Sequence, residues 1–250
     1  VSSGTGTAIC CKPKVDGFAE RRIEEPLGRG LIARRVGPEQ VYLGWRLLAD
    51  DPDSIGFNVY RQTDSGEPRK LNRQPLTQTT DFVDEHPVAN EPSQYWVVPV
   101  VEGAESEASG KAVVRGTAEK KKYQSIELDG DYTFQKCGIA DLNGDGAYDY
   151  VIKQPNANVD PYVKYWKPSP GTYKVEAYLA DGTFLWRYDM GWAIEQGIWY
   201  SPMVVYDLDG DGSAEVCLKG GEGDPRDEEG KVKSGPEYLL ILDGMTGKEK

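Results

Sequence analysis

At 250 residues the chain is long enough for one large domain or two ordinary ones with real cores. Its 41 acidic residues against 29 basic ones, a net charge of -12, leave no positive footprint for nucleic acid or for an anionic membrane surface. No apolar run approaches the roughly 18 residues of a membrane-crossing helix, so neither nucleic acid nor membrane insertion is expected.

Residues 1–25 are polar and patternless and read as a tail. The opening VSSGTGTAICCKPK lacks a charged n-region and an apolar h-region, so a secretory signal is expected to be absent or already removed. Adjacent Cys10 and Cys11 sit in this tail, while Cys137 and Cys217 lie in apolar segments and are expected to be buried thiols. No CxxC spacing occurs that would build a structural zinc site.

From 26 to 116 the signal is alternation. VYLGWRLL (41–48), GFNVYRQ (56–62), DFVDE (81–85), QYWVVPVV (94–101) and GKAVVRG (110–116) each read as a strand, separated by turn clusters such as TDSGEP and HPVANEPS. With an early Trp45 and a later Tyr95 they predict a β-sandwich of about 90 residues. YLGWRLL and FNVYR resemble fibronectin-type-III modules, usually spacers, so no chemistry is assigned there. The lone His86 falls in a loop of this region and is expected to be solvated.

After KKKYQS (120–125) two stretches of one design follow each other over 117–250. DLNGDGAYDYVIK (141–153) precedes YKVEAYLADGTFLWRYDMG, and DLDGDGSAEVCLK (207–219) precedes EYLLILDGMTGKEK. The acidic turns are 66 residues apart and the following Asp-Gly pairs, at Asp181 and Asp243, 62 apart. Strands and tight turns repeating at this interval predict propeller blades, each with a strand into the acidic turn, a strand out of it and an Asp-Gly hairpin. Two blades cannot close a ring, so the chain is expected to be the N-terminal part of a longer protein.

The acidic turns follow D-x-[DN]-G-D-G-x-x-[DE], in which alternate residues of a tight loop aim oxygens at one centre. Asp141, Asn143, Asp145, the Ala147 carbonyl and Asp149 are the candidate ligands of the first; Asp207, Asp209, Asp211, the Ser213 carbonyl and Glu215 those of the second. All are hard oxygens, with no histidine or thiol among them, which favours Ca²⁺ as the cofactor. An EF-hand would need a glutamate at position 12 and flanking helices, but Ile152 and Leu218 stand there inside strands. Such ions are expected to fasten blades by relieving carboxylate repulsion. Lys153 and Lys219 follow the two loops at matching positions and are expected to be structural, each near a carbonyl or carboxylate.

LGRGLIARRV, YLGWRLL, FNVYR, ADLNGDG, YLADGTFLWRYDMG, MVVYDLDGDGSAEVCLK and SGPEYLLILDGMTGKE together resemble the rhamnogalacturonan lyases of polysaccharide lyase family 11, from about residue 20 to the end. The resemblance implies an all-β fold, a fibronectin-type-III-like β-sandwich followed by the first blades of an eight-bladed, calcium-binding β-propeller. It implies a secreted, extracellular or periplasmic enzyme, monomeric, that cleaves the rhamnose–galacturonate backbone of pectin by Ca²⁺-assisted β-elimination. Its partner would be an acidic polysaccharide, whose charge bound calcium would help an acidic protein to tolerate. Similar lyases carry an Asn before the first calcium loop and an Asp after the next strand, where this chain has Gln135 and Pro155–Asn156. Where they carry a histidine in G-x-H-Y, the segment GIWY places Trp199 before Tyr200. Gln135, Asn156, Trp199 and Tyr200 are thus the candidate substrate contacts, with the catalytic base expected beyond residue 250. The alternative is a non-catalytic calcium-binding propeller of the integrin-like kind, adhering to a glycan or a protein.

Overall fold

The computed structural model describes residues 27–89, 91–115, 123–156, 167–196 and 201–250. Those residues are all-β, with no helix long and apolar enough to cross a membrane. In chain order the first strands are β1 (Ile32–Gly37), β2 (Gln40–Gly44), β3 (Gly56–Thr63), β4 (Arg69–Lys70), β5 (Asp81–Asp84), β6 (Ser93–Val101), β7 (Ala104–Glu105) and β8 (Ala112–Val114). They form an antiparallel sheet β1-β2-β5 and a second sheet β4-β3-β6-β7, with β8 also pairing β6. Val41 and Leu43 of the first sheet, with Trp45 just past β2, meet Phe57, Val59, Tyr95 and Val97 of the second in one core, as period-two alternation requires when one face of each sheet is buried. A buried ion pair spans the two sheets. Arg61 on β3 bonds Asp84 at the end of β5 at 2.6 Å, and Tyr95 on β6 donates to the same carboxylate at 2.9 Å. Asp84 also receives the His86 backbone N–H, while the imidazole of His86 is exposed, as expected.

Four of the five expected strands occupy their stretches closely, but VYLGWRLL ends early. The strand ends at Gly44. Past it the Trp45 and Arg46 backbone N–H groups still bond the Thr80 and Arg29 carbonyls at 3.0 and 2.9 Å, while the Arg46 side chain bonds the carbonyls of Gly28 and Gly146 at 3.0 and 2.9 Å. β1 was not expected, since its paired arginines, Arg34 and Arg35, hide the alternation.

The later strands are β9 (Lys136–Ala140), β10 (Asp149–Gln154), β11 (Lys174–Tyr178), β12 (Phe184–Asp189), β13 (Met203–Tyr206), β14 (Glu215–Gly221) and β15 (Glu237–Asp243). They form two antiparallel meanders, β9-β10-β11-β12 and β13-β14-β15. The meanders share one core: Val151, Val175, Ala177 and Trp186 of the first pack with Ala214, Val216, Leu218 and Leu242 of the second. Contact is close enough that a Cβ on Gly138 of β9 would collide with the Val205 side chain of β13. The two Asp-Gly pairs differ in what they require. Gly182 has φ +94° in the β11–β12 turn, whereas at Gly244 a Cβ would collide with the Ala214 carbonyl oxygen. The Gly244 carbonyl accepts the Trp186 indole N–H at 2.7 Å, tying the end of one meander to the core of the other.

The cysteine expectation is corrected here. Cys137 is exposed and Cys217 half-buried, both as free thiols. Cys217 sits on the outer face of β14, with Val216 and Leu218 filling the core face, and Cys137 shares the outer face of β9 with exposed Ile139. Cys10 and Cys11 lie outside the described residues.

Candidate metal centre

The two acidic turns fold alike, bond for bond. In the first, the buried carboxylate of Asp141 accepts the backbone N–H groups of Gly144 and Asp145 on Oδ1 (2.8 and 3.2 Å) and of Gly146 on Oδ2 (2.6 Å). In the second, buried Asp207 accepts Gly210 and Asp211 on Oδ1 (2.7 and 3.2 Å) and Gly212 on Oδ2 (3.0 Å). Gly144, Gly146, Gly210 and Gly212 all have φ between 74° and 94°, the left-handed region in which glycine alone is unstrained. Position 9 closes each loop: Asp149 Oδ2 accepts the Leu142 N–H at 3.0 Å, and Glu215 Oε2 the Leu208 N–H at 2.8 Å. Asn143, Asp145, Asp209 and Asp211 stand on the open side. Ile152 and Leu218, at position 12, are buried in β10 and β14, which leaves no EF-hand geometry.

In both loops backbone N–H donors fasten the buried carboxylates at positions 1 and 9. Burial pushes the Asp149 carboxyl up from its ordinary range, with Asp145 and Asp141 adding to the rise against the backbone N–H bonds. Among the described residues, Asp207, Asp209 and Glu215 bring carboxylate oxygens within 4.8 Å of one another, a trio able to hold a cation. In the first loop position 3 is Asn143, whose amide oxygen accepts the Asp145 backbone N–H and whose amide nitrogen donates to the Asp145 carboxylate, both at 3.1 Å. Hard oxygens alone, on a rigid turn, fit Ca²⁺.

The loops also touch. Ala214 donates its N–H to the Asp141 carbonyl at 2.8 Å, and Gly144 lies against Gly212 and Ser213. On the other side of the first loop, Arg46 bonds the Gly146 carbonyl and lays its guanidinium 4.1 Å from the Tyr148 ring centroid. The first loop is thus the joint where the β1–β8 region and both meanders meet.

A cation the sequence did not disclose sits in the second loop. Lys250 Nζ lies 2.8 Å from Asp209 Oδ2, 2.7 Å from Glu215 Oε1 and 3.7 Å from Asp211 Oδ2. The bond to Asp209, then that to Glu215, holds its ammonium above the usual lysine range. The only signal for it in the sequence is a basic residue 35 positions after Glu215.

Gln135 and Asn156 stand at the opposite end of the β9–β10 pair. Gln135 donates its N–H to the Lys153 carbonyl at 2.8 Å, and Asn156 is exposed just past β10. β9 is five residues long, and at about 3.4 Å per residue that separates them from the acidic loop by roughly 17 Å. The structure therefore places both candidates at the end of the β9–β10 pair that lies away from the acidic loop. Trp199 and Tyr200 lie outside the described residues.

Beneath that end lies a polar network missed in the sequence. Glu176 on β11 is fully buried and accepts from Tyr132, Tyr178, Gln154 and Arg187. Burial pushes its carboxyl up, but the four donors outweigh this and hold it below the usual range. Tyr132 precedes Gln135, and Gln154 precedes Pro155–Asn156, so one carboxylate fastens both approaches. Lys153, beside them and 2% exposed, bonds the Ser201 carbonyl and hydroxyl, its ammonium 5.2 Å from the Tyr173 ring centroid. Burial, then repulsion from Lys136, pushes its pKa down to about 8. Lys219, the repeat counterpart, instead pairs with Glu237 at the surface. Both lysines meet the oxygen partners expected of them.

Comparison with known proteins places this architecture. Residues 22–115 match the family described as rhamnogalacturonan I lyases beta-sheet domain. Residues 118–250 match rhamnogalacturonan lyase family 11, C-terminal domain. The chain belongs to rhamnogalacturonan lyase family 11. Within that family it is 36% identical to the rhamnogalacturonan endolyase YesW of Bacillus subtilis, an alignment covering 98% of this chain and 41% of the relative. The crystal structure of YesW superposes with a TM-score of 0.76, covering 91% of this chain. The rhamnogalacturonan exolyase YesX of the same organism is 34% identical over 91% of this chain and 39% of its own, with a TM-score of 0.74 for its structure. The rhamnogalacturonan lyase of Bacillus licheniformis gives a TM-score of 0.76 at 32% identity, over 92% of this chain and 42% of its own. The family 11 chain described here thus spans about two fifths of the length of the curated relatives it matches.

Proposed function

We propose that this chain is part of a secreted polysaccharide lyase that cleaves the rhamnose–galacturonate backbone of rhamnogalacturonan I in pectin. The observation that carries the reading is the ordered match of both regions to this family, at 36% identity to an endolyase across nearly the whole chain. In this reading the two sheets of β1–β8 are a fibronectin-type-III-like sandwich. The two meanders are the first blades of a monomeric eight-bladed propeller. Ca²⁺ is proposed for the loops of Asp141–Asp149 and Asp207–Glu215, where the donor set suits it.

The reaction is a β-elimination. The galacturonate C5 proton is removed, the bond between C4 and the bridging oxygen breaks, and an unsaturated uronate remains at the new end. A cation on the uronate carboxylate would make the C5 proton more acidic by stabilising the enolate-like intermediate. The loops at 141 and 207 are roughly a strand length from Gln135 and Asn156, so their proposed role is to fasten the blades that carry the substrate-facing end. At that end Gln135 and Asn156 are proposed to hydrogen-bond sugar hydroxyls, with Trp199 and Tyr200 as stacking partners. Lys153, with Ser201 on the neighbouring meander, would hold two blades in register beneath them. The base that takes the C5 proton is proposed to lie after Lys250.

The full-length protein mixed with rhamnogalacturonan I should generate the ultraviolet absorbance of an unsaturated uronate. New reducing ends without that absorbance would indicate hydrolysis, and no cleavage at all would indicate a binding protein; either overturns the reading.

A further inference from the structure

We infer that the second acidic loop has a resident cation of its own, the Lys250 ammonium, which competes with a divalent ion for the same carboxylates. The inference rests on the calcium reading proposed above and assigns the two loops different dependence on calcium. Lys250 reaches positions 3 and 9 of the motif, Asp209 and Glu215, at 2.8 and 2.7 Å, and approaches position 5, Asp211, at 3.7 Å. Three of the side-chain oxygens that would coordinate an ion are thus turned toward one ammonium.

Its place there is set by the backbone. The hairpin after β15 is closed by the Asp243 N–H on the Lys248 carbonyl, and the Lys250 N–H donates to the Ile241 carbonyl, both at 2.8 Å. Asp243 pairs in turn with Glu215 across β14 and β15, which sets position 250 beside the loop. The charges agree with this placement. The first loop has three carboxylates and Asn143; the second has four, and Lys250 brings its net charge to the same value. Among the described residues no ammonium is placed against the first loop's carboxylates; the cation beside it, Arg46, bonds the Gly146 carbonyl.

A calcium ion needs six to eight oxygens at about 2.3–2.6 Å. It cannot take Asp209 and Glu215 while an ammonium holds them. The Lys250 side chain is 36% exposed and long enough to swing away, so calcium can enter, but only against a displaced positive charge. Without calcium the second loop keeps a counter-cation, and among the described residues the first has none.

The test is a calorimetric calcium titration of the chelator-stripped full-length protein. K250Q should tighten one site by about tenfold, the scale of one removed positive charge at a partly exposed position. That gain should vanish in K250Q/D207N, and K250R should bind as wild type. In chelator, K250Q should also melt below wild type and recover with calcium. An unchanged titration for K250Q, a gain that survives D207N, or equal melting in chelator would overturn the inference. D141N separates it from the reading beneath it. If D141N loses a site while K250Q changes nothing, only the Lys250 role falls; if D141N loses none, the calcium assignment itself falls.

Discussion

Glu176 gives the sharpest prediction about stability. The carboxylate is 0% exposed and accepts from Tyr132, Tyr178, Gln154 and Arg187, joining the segment before β9 to β10, β11 and β12. Replacing it by Gln keeps the shape but removes the charge and turns one acceptor into a donor. The new amide N–H then faces either Gln154 and Arg187, whose donors it strands, or the two tyrosines, where a hydroxyl must give up its donated bond to accept. A stranded buried donor costs about 1–3 kcal/mol, and loss of a charge-assisted bond adds a similar amount, so E176Q should destabilise by about 3 kcal/mol. Y132F removes one donor and strands nothing buried, so it should cost about 1 kcal/mol. Urea unfolding of the full-length protein, compared at a fixed slope, measures both. The pH dependence supplies a second check. The folded carboxyl titrates below its unfolded range near 4.3, so its stabilisation is complete above that range and is lost as pH falls through the folded value. The gap between wild type and E176Q should therefore narrow on acidification. A gap below about 0.5 kcal/mol at neutral pH, or one indifferent to acid, would refute the reasoning.

Other positions give simpler outcomes. The Lys153 pKa is pushed down to about 8, so the folded state binds fewer protons than the unfolded state between there and the ordinary lysine value of 10.5. Wild type should therefore gain stability relative to K153M as pH rises through that window, by on the order of 3 kcal/mol, measured by unfolding at paired pH values. G244A would drive a methyl into the Ala214 carbonyl and displace the acceptor of Trp186, so it should cost about 2 kcal/mol or more, seen as a lowered unfolding midpoint.

Much of the layout was legible because it depends on local patterns. Alternation in GFNVYRQ and QYWVVPVV gave β3 and β6, whose inner faces make a core, and the spacing of Asp and Gly in the two turns gave loops that match bond for bond. What escaped depends on tertiary placement. Arg34 and Arg35 hid β1, because long side chains can cover a strand face while their charges stay in water. Cys137 and Cys217 look buried among apolar neighbours, but which strand face meets the core is decided by the sheet that packs on it. Glu176 lies between Val175 and Ala177 and reads as an ordinary outward residue of an alternating strand; its four partners come from positions between 132 and 187. Lys250 shows its meaning only once β15 returns beside β14. The gap between Gln135 and the acidic turn follows from strand direction: the turn joins one end of β9 and β10, and the substrate candidates mark the other.

A calcium ion in the Asp141 loop is proposed to join the β1–β8 region to both meanders. Thermal unfolding of the full-length protein in chelator and in millimolar calcium, for wild type and D141N, tests it most directly. Calcium should raise the wild-type midpoint by several degrees, as expected of a ligand that binds only the folded state, and D141N should lose a clear part of that rise. Equal midpoints for wild type with and without calcium, or an undiminished rise in D141N, would contradict it.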